Sequence, residues 1–223
     1  MAKPKPKDWP DSLPYLDRPL HDRALPPAHL QRLRTKPPPS SSSSVPSIPA
    51  PATPSPYPHV RIRAIRDAAH PAHGQRGLFA ARALAPGSFI LAYLGRVHAG
   101  SASSAESDYD LWLDREADVA VDAAAAGNEG RFVNDYRGVG ARPNAVFGTA
   151  WCERWRELCV GVWVAGGRDG RGVGIRKGEE ILVSYGKGFW GGRRCGSGGE
   201  AGAGEGEGEG EDEGEAGGGA SGQ

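Results

Sequence analysis

Apolar residues recur at every second position in short runs along the middle of this chain, and that period restricts the fold more than any other feature. Val60-Arg61-Ile62-Arg63-Ala64-Ile65 alternates cleanly, residues 78–84 are short and apolar, and Pro86-Gly87 turns the chain into Ser88-Phe89-Ile90-Leu91-Ala92-Tyr93. Residues 109–114, 119–122, 144–147, 160–165 and 180–185 continue in the same style. Helical turns fit only at 28–33, 101–107, 123–126 and 152–158. The expected fold is mainly β (α+β), several small antiparallel sheets with short helices. A doubly wound sheet needs strands alternating with long helices, and Gly74-Gln75-Arg76-Gly77 leads into a strand, so it is not a dinucleotide fingerprint.

Composition confines order to the centre. Residues 1–57 are crowded with proline and serine and read as a largely disordered arm, with Trp9, Tyr15 and the leucines of 13–33 as its only apolar anchors. From 192 to 223 the chain is a disordered, acidic Gly/Glu-rich tail by composition. The domain is therefore expected over 58–191, enough for one modest core. The eight acidic residues from Glu200 to Gln223 are accompanied by no basic one, so 27 basic residues face the remaining 19 acidic ones and residues 1–199 carry +8. The tail reads as a solvated charge run. Cys152, Cys159 and Cys195 form no CxxC pair, which argues against a disulfide scaffold. His70 and His73 read as exposed or capping loop histidines, and no metal site is expected. With no apolar leader and no long apolar run, the expectation is an intracellular protein of nucleus or cytoplasm, not secreted and without a membrane.

Two stretches about fifty residues apart carry the chemistry. Gly127-Asn128-Glu129-Gly130-Arg131-Phe132-Val133-Asn134-Asp135-Tyr136 puts an amide and a carboxylate just after a short apolar element. Gly178-Glu179-Glu180-Ile181-Leu182-Val183-Ser184-Tyr185-Gly186 reads as a turn, an apolar strand and an abrupt loop presenting one tyrosine hydroxyl. Together with Gly74 to Ala80 and Tyr93-Leu94-Gly95, in this order, they resemble the motifs of the SET-domain protein lysine methyltransferases, without the zinc clusters that flank the domain in relatives.

The resemblance implies a C-terminal pseudoknot bringing Tyr185 beside Asn134, and S-adenosyl-L-methionine as cofactor. It implies cofactor contacts from Gln75, Arg76, Gly77, Leu78, Tyr109, Arg131, Asn134, Asp135 and Tyr185. Tyr185 and Tyr93 are the implied catalytic residues, and Tyr93, Val183, Phe189 and Trp190 the implied lysine channel. The family's Asn-His pair is Asn134-Asp135 here, and its following cysteine is missing, so no structural zinc is expected. The implied partner is a protein presenting a lysine, a histone tail among the candidates. The chain is expected to be a monomer with no sequence-specific contact to nucleic acid. Methyl transfer to an amine needs alignment, exclusion of water and a neutral lysine, whose deprotonation at neutral pH costs about 4–5 kcal/mol. The alternative is a catalytically silent SET-fold module that binds a peptide, because fold does not fix activity.

Overall fold

The computed structural model describes residues 4–38, 45–103, 107–166 and 172–186. Strands form at the runs the two-residue period picks out, and also at 20–21, 47–48, 96–99 and 134–135, where it does not. They are β1 (Leu20–His21), β2 (Ser47–Ile48), β3 (Val60–Ala64), β4 (Arg76–Ala80), β5 (Phe89–Tyr93), β6 (Arg96–Ala99), β7 (Asp110–Asp114) and β8 (Val119–Asp122), then β9 (Asn134–Asp135), β10 (Ala145–Cys152), β11 (Glu157–Val164) and β12 (Leu182–Val183). A single α-helix is described, α1 (Pro27–Leu33). One four-stranded sheet runs β1-β6-β8-β7, a second β2-β10-β11-β5, and β3-β4 and β9-β12 are pairs. The fold is mainly β.

Most neighbours are antiparallel, but β1-β6, β2-β10 and β9-β12 are parallel. Two of these parallel edges are contributed by residues before 58. β11 lies between β10 and β5, is buried along nearly its whole length, and reads as an almost continuous apolar run for that reason. The main core gathers Ile62, Leu78, Ile90, Leu91, Val162, Ile181 and Val183, so strands from several parts of the domain meet in it, while Val97, Leu113, Val119 and Val121 of the first sheet pack in a second cluster.

Two expectations are corrected. Residues 152–158 are not helical: Cys152 pairs with Glu157 across a hairpin, with Arg156 at φ 55 and its amide donating to the Cys152 carbonyl at 2.8 Å. Strand pairing overrides the local helical pattern there. Nor are the described residues of 1–57 a disordered arm. Trp9 is 7 % exposed, packs edge-on against Tyr15 and Phe132 at 5.0 and 5.6 Å, and donates its indole N–H to the Leu13 carbonyl at 2.7 Å. Leu16 N–H donates to the Gly127 carbonyl at 2.8 Å. The Tyr15 hydroxyl donates at 3.0 Å to the buried Glu129 carboxylate, which also accepts the Tyr57 N–H at 2.9 Å. Burial pushes the Glu129 carboxyl up from its ordinary range. A few large apolar anchors with satisfied polar tips suffice to order a proline-rich segment, because proline leaves less backbone entropy to lose.

Cys152 and Cys159 are buried free thiols. Among the described residues no helix is long and apolar enough to cross a membrane, and no group of three or more His, Cys, Asp or Glu side chains is placed to hold a metal ion. Phe189, Trp190, Cys195 and the acidic tail lie outside the described residues.

Trp9→Ala should lower the unfolding free energy by about 3 kcal/mol, the usual cost of emptying a buried aromatic site. Urea denaturation of the full chain would show this as a lower midpoint; an unchanged midpoint would mean that the N-terminal segment does not pack on the core.

Candidate functional site

The site begins with the hairpin β3-β4, whose loop turns through His70 and Gly74 before entering β4 at Arg76. Gly77 faces residues from two distant segments. A Cβ added there would lie 2.5 Å from Glu180 Oε1 and 3.1 Å from Asn134 Nδ2, so the close approach depends on its being glycine. Asn134 Nδ2 donates to Glu180 Oε1 at 2.8 Å and reaches the Arg76 carbonyl at 3.4 Å. A carboxylate only accepts, so this pair fixes which end of the Asn134 amide is the donor and turns Oδ1 away from Glu180.

His70 completes the group. Its Nε2 lies 3.1 Å from Glu180 Oε2, and its Nδ1 accepts the Ala72 N–H at 3.0 Å. An Nδ1 that accepts carries no proton, which makes His70 the neutral Nε2–H tautomer donating to Glu180. The His70 and Glu180 side chains are each 9 % exposed, so of the exposed or capping loop histidines expected, His73 is exposed and His70 caps the loop through the Ala72 N–H. Neither His70 nor Glu180 stands out in the sequence as a site residue, because the contact spans 110 positions.

The second half of the site is built by the C-terminal segment. Leu182 and Val183 pair in parallel with Asn134 and Asp135, and the Tyr136 N–H donates to the Val183 carbonyl at 2.9 Å. On the other side, Asn144 donates its amide to the Glu180 carbonyl and accepts the Leu182 N–H, both at 2.8 Å. Residues 134–144 thus embrace the strand from two sides, the arrangement expected of the pseudoknot. Asp135 is 8 % exposed; its Oδ2 accepts the Tyr185 N–H at 2.7 Å, and Arg137 pairs with both of its oxygens at 3.1 and 2.9 Å. The Tyr185 hydroxyl donates to the Val133 carbonyl at 2.7 Å, which belongs to the same peptide unit as the Asn134 nitrogen.

Aromatic groups converge on this point. The Tyr93 hydroxyl donates to the Tyr109 carbonyl at 2.6 Å, and the Arg131 guanidinium lies 4.2 Å from the centre of the Tyr109 ring while its Nε donates to the Ala123 carbonyl at 3.0 Å. Burial raises the Tyr93 phenol well above its ordinary range, with Tyr185 the next contributor, which places the two phenols in one environment. Burial also raises the Tyr185 phenol, followed by the Asp135 carboxylate. Both hydroxyls are protonated donors at neutral pH.

Asn128, fully buried, positions this cluster: its amide donates to the Ala92 carbonyl and its carbonyl accepts the Leu94 N–H, bracketing Tyr93. Sequence reading missed this role, although an asparagine before a short turn is a recognisable capping signal.

The structure thus gathers Gly77, Asn134, Asp135 and Tyr185, with Tyr109, Arg131 and Tyr93 adjoining. Gln75 and Arg76 are exposed beside Asn134. Leu78 and Val183 have no exposed surface and lie in the core, because both sit on the inward face of their strands. Leu78 offers a ligand no side-chain surface, and its carbonyl accepts the Ile181 N–H at 2.8 Å. Tyr93, at 5 % exposure, likewise turns its hydroxyl inward to Tyr109, since a buried phenol needs an acceptor. Phe189 and Trp190 lie outside the described residues.

No protein-family model matches the chain, and no curated protein matches it. Solved structures do. One is the polycomb repressive complex 2 of Chaetomium thermophilum bound to GSK126, with 21 % identity and a TM-score of 0.44 over 57 % of this chain and 16 % of that chain. Another crystal structure of that complex gives 22 % and 0.45 over 58 % and 15 %. The same complex in an autoinhibited conformation bound to S-adenosylmethionine gives 22 % and 0.43 over 57 % and 15 %. The chain spans about a sixth of the length of the chains it matches.

Gly77→Ala should cost about 1–3 kcal/mol and displace Asn134 or Glu180, since both are within clash range of the new methyl. Thermal unfolding and the side-chain amide resonance of Asn134 would report it; an unshifted resonance at wild-type stability would refute the close approach. The raised Tyr185 pKa means that the folded state holds this proton more tightly than the unfolded state. Its contribution to stability is intact below about pH 10, where a free tyrosine begins to ionise, and is lost as pH rises above that. Relative to Tyr185→Phe, the wild type should therefore lose stability in alkaline denaturation, and parallel pH profiles would disprove the burial of this phenol.

Proposed function

We propose that this chain transfers a methyl group from S-adenosylmethionine to a lysine side chain of a protein, with Tyr185 at the reacting centre. The observation that carries the reading is the 2.7 Å hydrogen bond from the Tyr185 hydroxyl to the peptide joining Val133 and Asn134, which unites two motifs 52 residues apart. The residues present fit the cofactor. Gly77 removes the Cβ that would crowd the approach to Asn134, the Asn134 amide is fixed with its acceptor end turned away from Glu180, and Gln75 and Arg76 are exposed alongside. Asn134 and the main chain of 75–77 would hold it, with Tyr109 and Arg131 adjoining. The cofactor, when bound, supplies an electrophilic methyl group on a positively charged sulfur.

The chain's own groups do the rest. Tyr185 keeps its proton and donates it to Val133, so its oxygen lone pairs accept from the substrate amine and orient it for in-line attack. Tyr185 is not a base. Desolvation in the buried site and the Arg131 guanidinium both disfavour an ammonium nearby, which drives the lysine proton to solvent before the amine is aligned. Weak contacts from carbonyls such as that of Val133 stabilise the electron-poor carbon. The domain is taken as 58–191 with the segment before it packed on, in nucleus or cytoplasm, acting as a monomer on a lysine-bearing protein, a histone tail among the candidates.

Calorimetric titration of the full chain with S-adenosylmethionine, followed by labelled methyl transfer to a peptide array, tests this. Tyr185→Phe, which leaves the ring and the fold in place, should cut transfer by about a hundredfold, the scale of removing one oriented polar group from a reacting centre. Cofactor binding without transfer to any peptide would favour the silent binding module. Neither binding nor transfer, or transfer undiminished in Tyr185→Phe, would overturn the assignment.

A further inference from the structure

Away from that site, a cavity of about 360 Å³ is lined by Arg18, His21, Arg34, Arg154, Trp155 and Glu157. We propose that it binds a phosphate group; the inference is independent of methyl transfer. Three segments far apart in sequence build it. Arg18 and His21 come from the N-terminal segment at β1, Arg34 caps the C-terminal end of α1, and Arg154, Trp155 and Glu157 form the turn from β10 into β11. The Arg154 guanidinium is held by a hydrogen bond to the Thr53 carbonyl. Glu157, its side chain 4 % exposed, lies with Oε2 3.0 Å from His21 Nε2 and 3.9 Å from Arg34 Nε, and so fixes the positions of both side chains.

Three features point to the ligand. The first is an excess of donors: guanidiniums and an indole N–H donate and cannot accept, and Glu157 is the one carboxylate in the lining. The second is an unused donor: Trp155 Nε1 is buried without a hydrogen-bond partner. His21 Nε2 makes no hydrogen bond either, but it faces the Glu157 carboxylate at 3.0 Å. Buried polar atoms are nearly always satisfied, so a ligand that only accepts is the group this cavity calls for. The third is charge. Three arginines against Glu157 leave +2 in the lining, or +1 when Asp17, 3.7 Å from Arg18 at the rim, is included. A phosphate monoester near −2 fills that deficit better than a carboxylate, and its tetrahedral oxygens match several guanidinium forks at once.

The test uses the full chain, titrated with inorganic phosphate, with O-phosphoserine and, at equal ionic strength, with acetate. Calorimetry and the indole N–H resonance of Trp155, assigned with Trp155→Phe, are the readouts. Saturable phosphate binding is expected, with a downfield shift of that resonance and a response to acetate at least tenfold weaker. Arg18→Gln combined with Arg34→Gln changes side chains that are 72 % and 60 % exposed, so the fold should survive, as an unchanged melting temperature would verify. The double variant should bind about tenfold more weakly. Tight binding of O-phosphoserine would show that the site takes monoesters, and binding of inorganic phosphate alone that it takes the free ion; either supports the proposal. It is overturned if acetate binds as well as phosphate, if the double variant binds like wild type, or if no saturation occurs below about 10 mM, a millimolar limit corresponding to almost no specific contact.

Discussion

The clamp on residues 180–185 is the constraint on which the rest of the site depends. These residues lie between Asn134-Asp135-Tyr136 on one side and Asn144 on the other, and on a further edge Ile181 donates to the Leu78 carbonyl at 2.8 Å. Such a segment depends on distant partners, so its loop-closure cost must be met by contacts 36 to 110 residues away. It is met twice over, by main-chain pairing and by the burial of Ile181 and Val183 in the core. Tyr185 owes its position to that clamp, since neither the tyrosine nor the glycine after it has any intrinsic preference for the Val133 carbonyl.

Asp135 shows how a buried carboxylate is accommodated between two paired segments. An imidazole at this position could accept at one nitrogen; a carboxylate accepts the Tyr185 N–H, the Arg137 N–H and the Arg137 guanidinium together. A buried carboxylate would be costly without a cation, and Arg137, two residues on, provides one. The Asp135 network thus ties the main chain of 135 to that of 185.

How much of this was legible beforehand follows from the range of each interaction. The alternation at 60–65, 88–93 and 109–122 announced its strands because period two is a local signal. Residues 152–158 misled because their local pattern suits a helix while the cross-strand partner lies in the same few residues. The convergence of Asn134 and Tyr185 was legible through the order of motifs, not through any local propensity. The His70–Glu180–Asn134 chain was illegible, since nothing in a glutamate at a strand start names a histidine 110 positions earlier. The described part of the N-terminal segment was misjudged on composition: proline and serine content suggested disorder, and the packing of Trp9 on two aromatic neighbours outweighed it there.

The two halves of the site differ in what they can tolerate, and the difference follows from how each is held. Around Gly77 the geometry rests on side chains: Glu180 links Asn134 to the neutral His70, so a change in any one of the three releases the others. Around Tyr185 each bond has one main-chain end: the carbonyls of Val133 and Tyr109 accept from the Tyr185 and Tyr93 hydroxyls, and the Tyr185 N–H donates to the Asp135 carboxylate. A protonated Tyr185 that spends its hydrogen on a fixed carbonyl presents lone pairs in a fixed direction. On the proposed reading those lone pairs would take a donating amine, and the adjoining Arg131 cation would disfavour its ammonium form. Orientation and protonation state would thus be set by separate groups, the first by the backbone behind Tyr185 and the second by the guanidinium stacked on Tyr109.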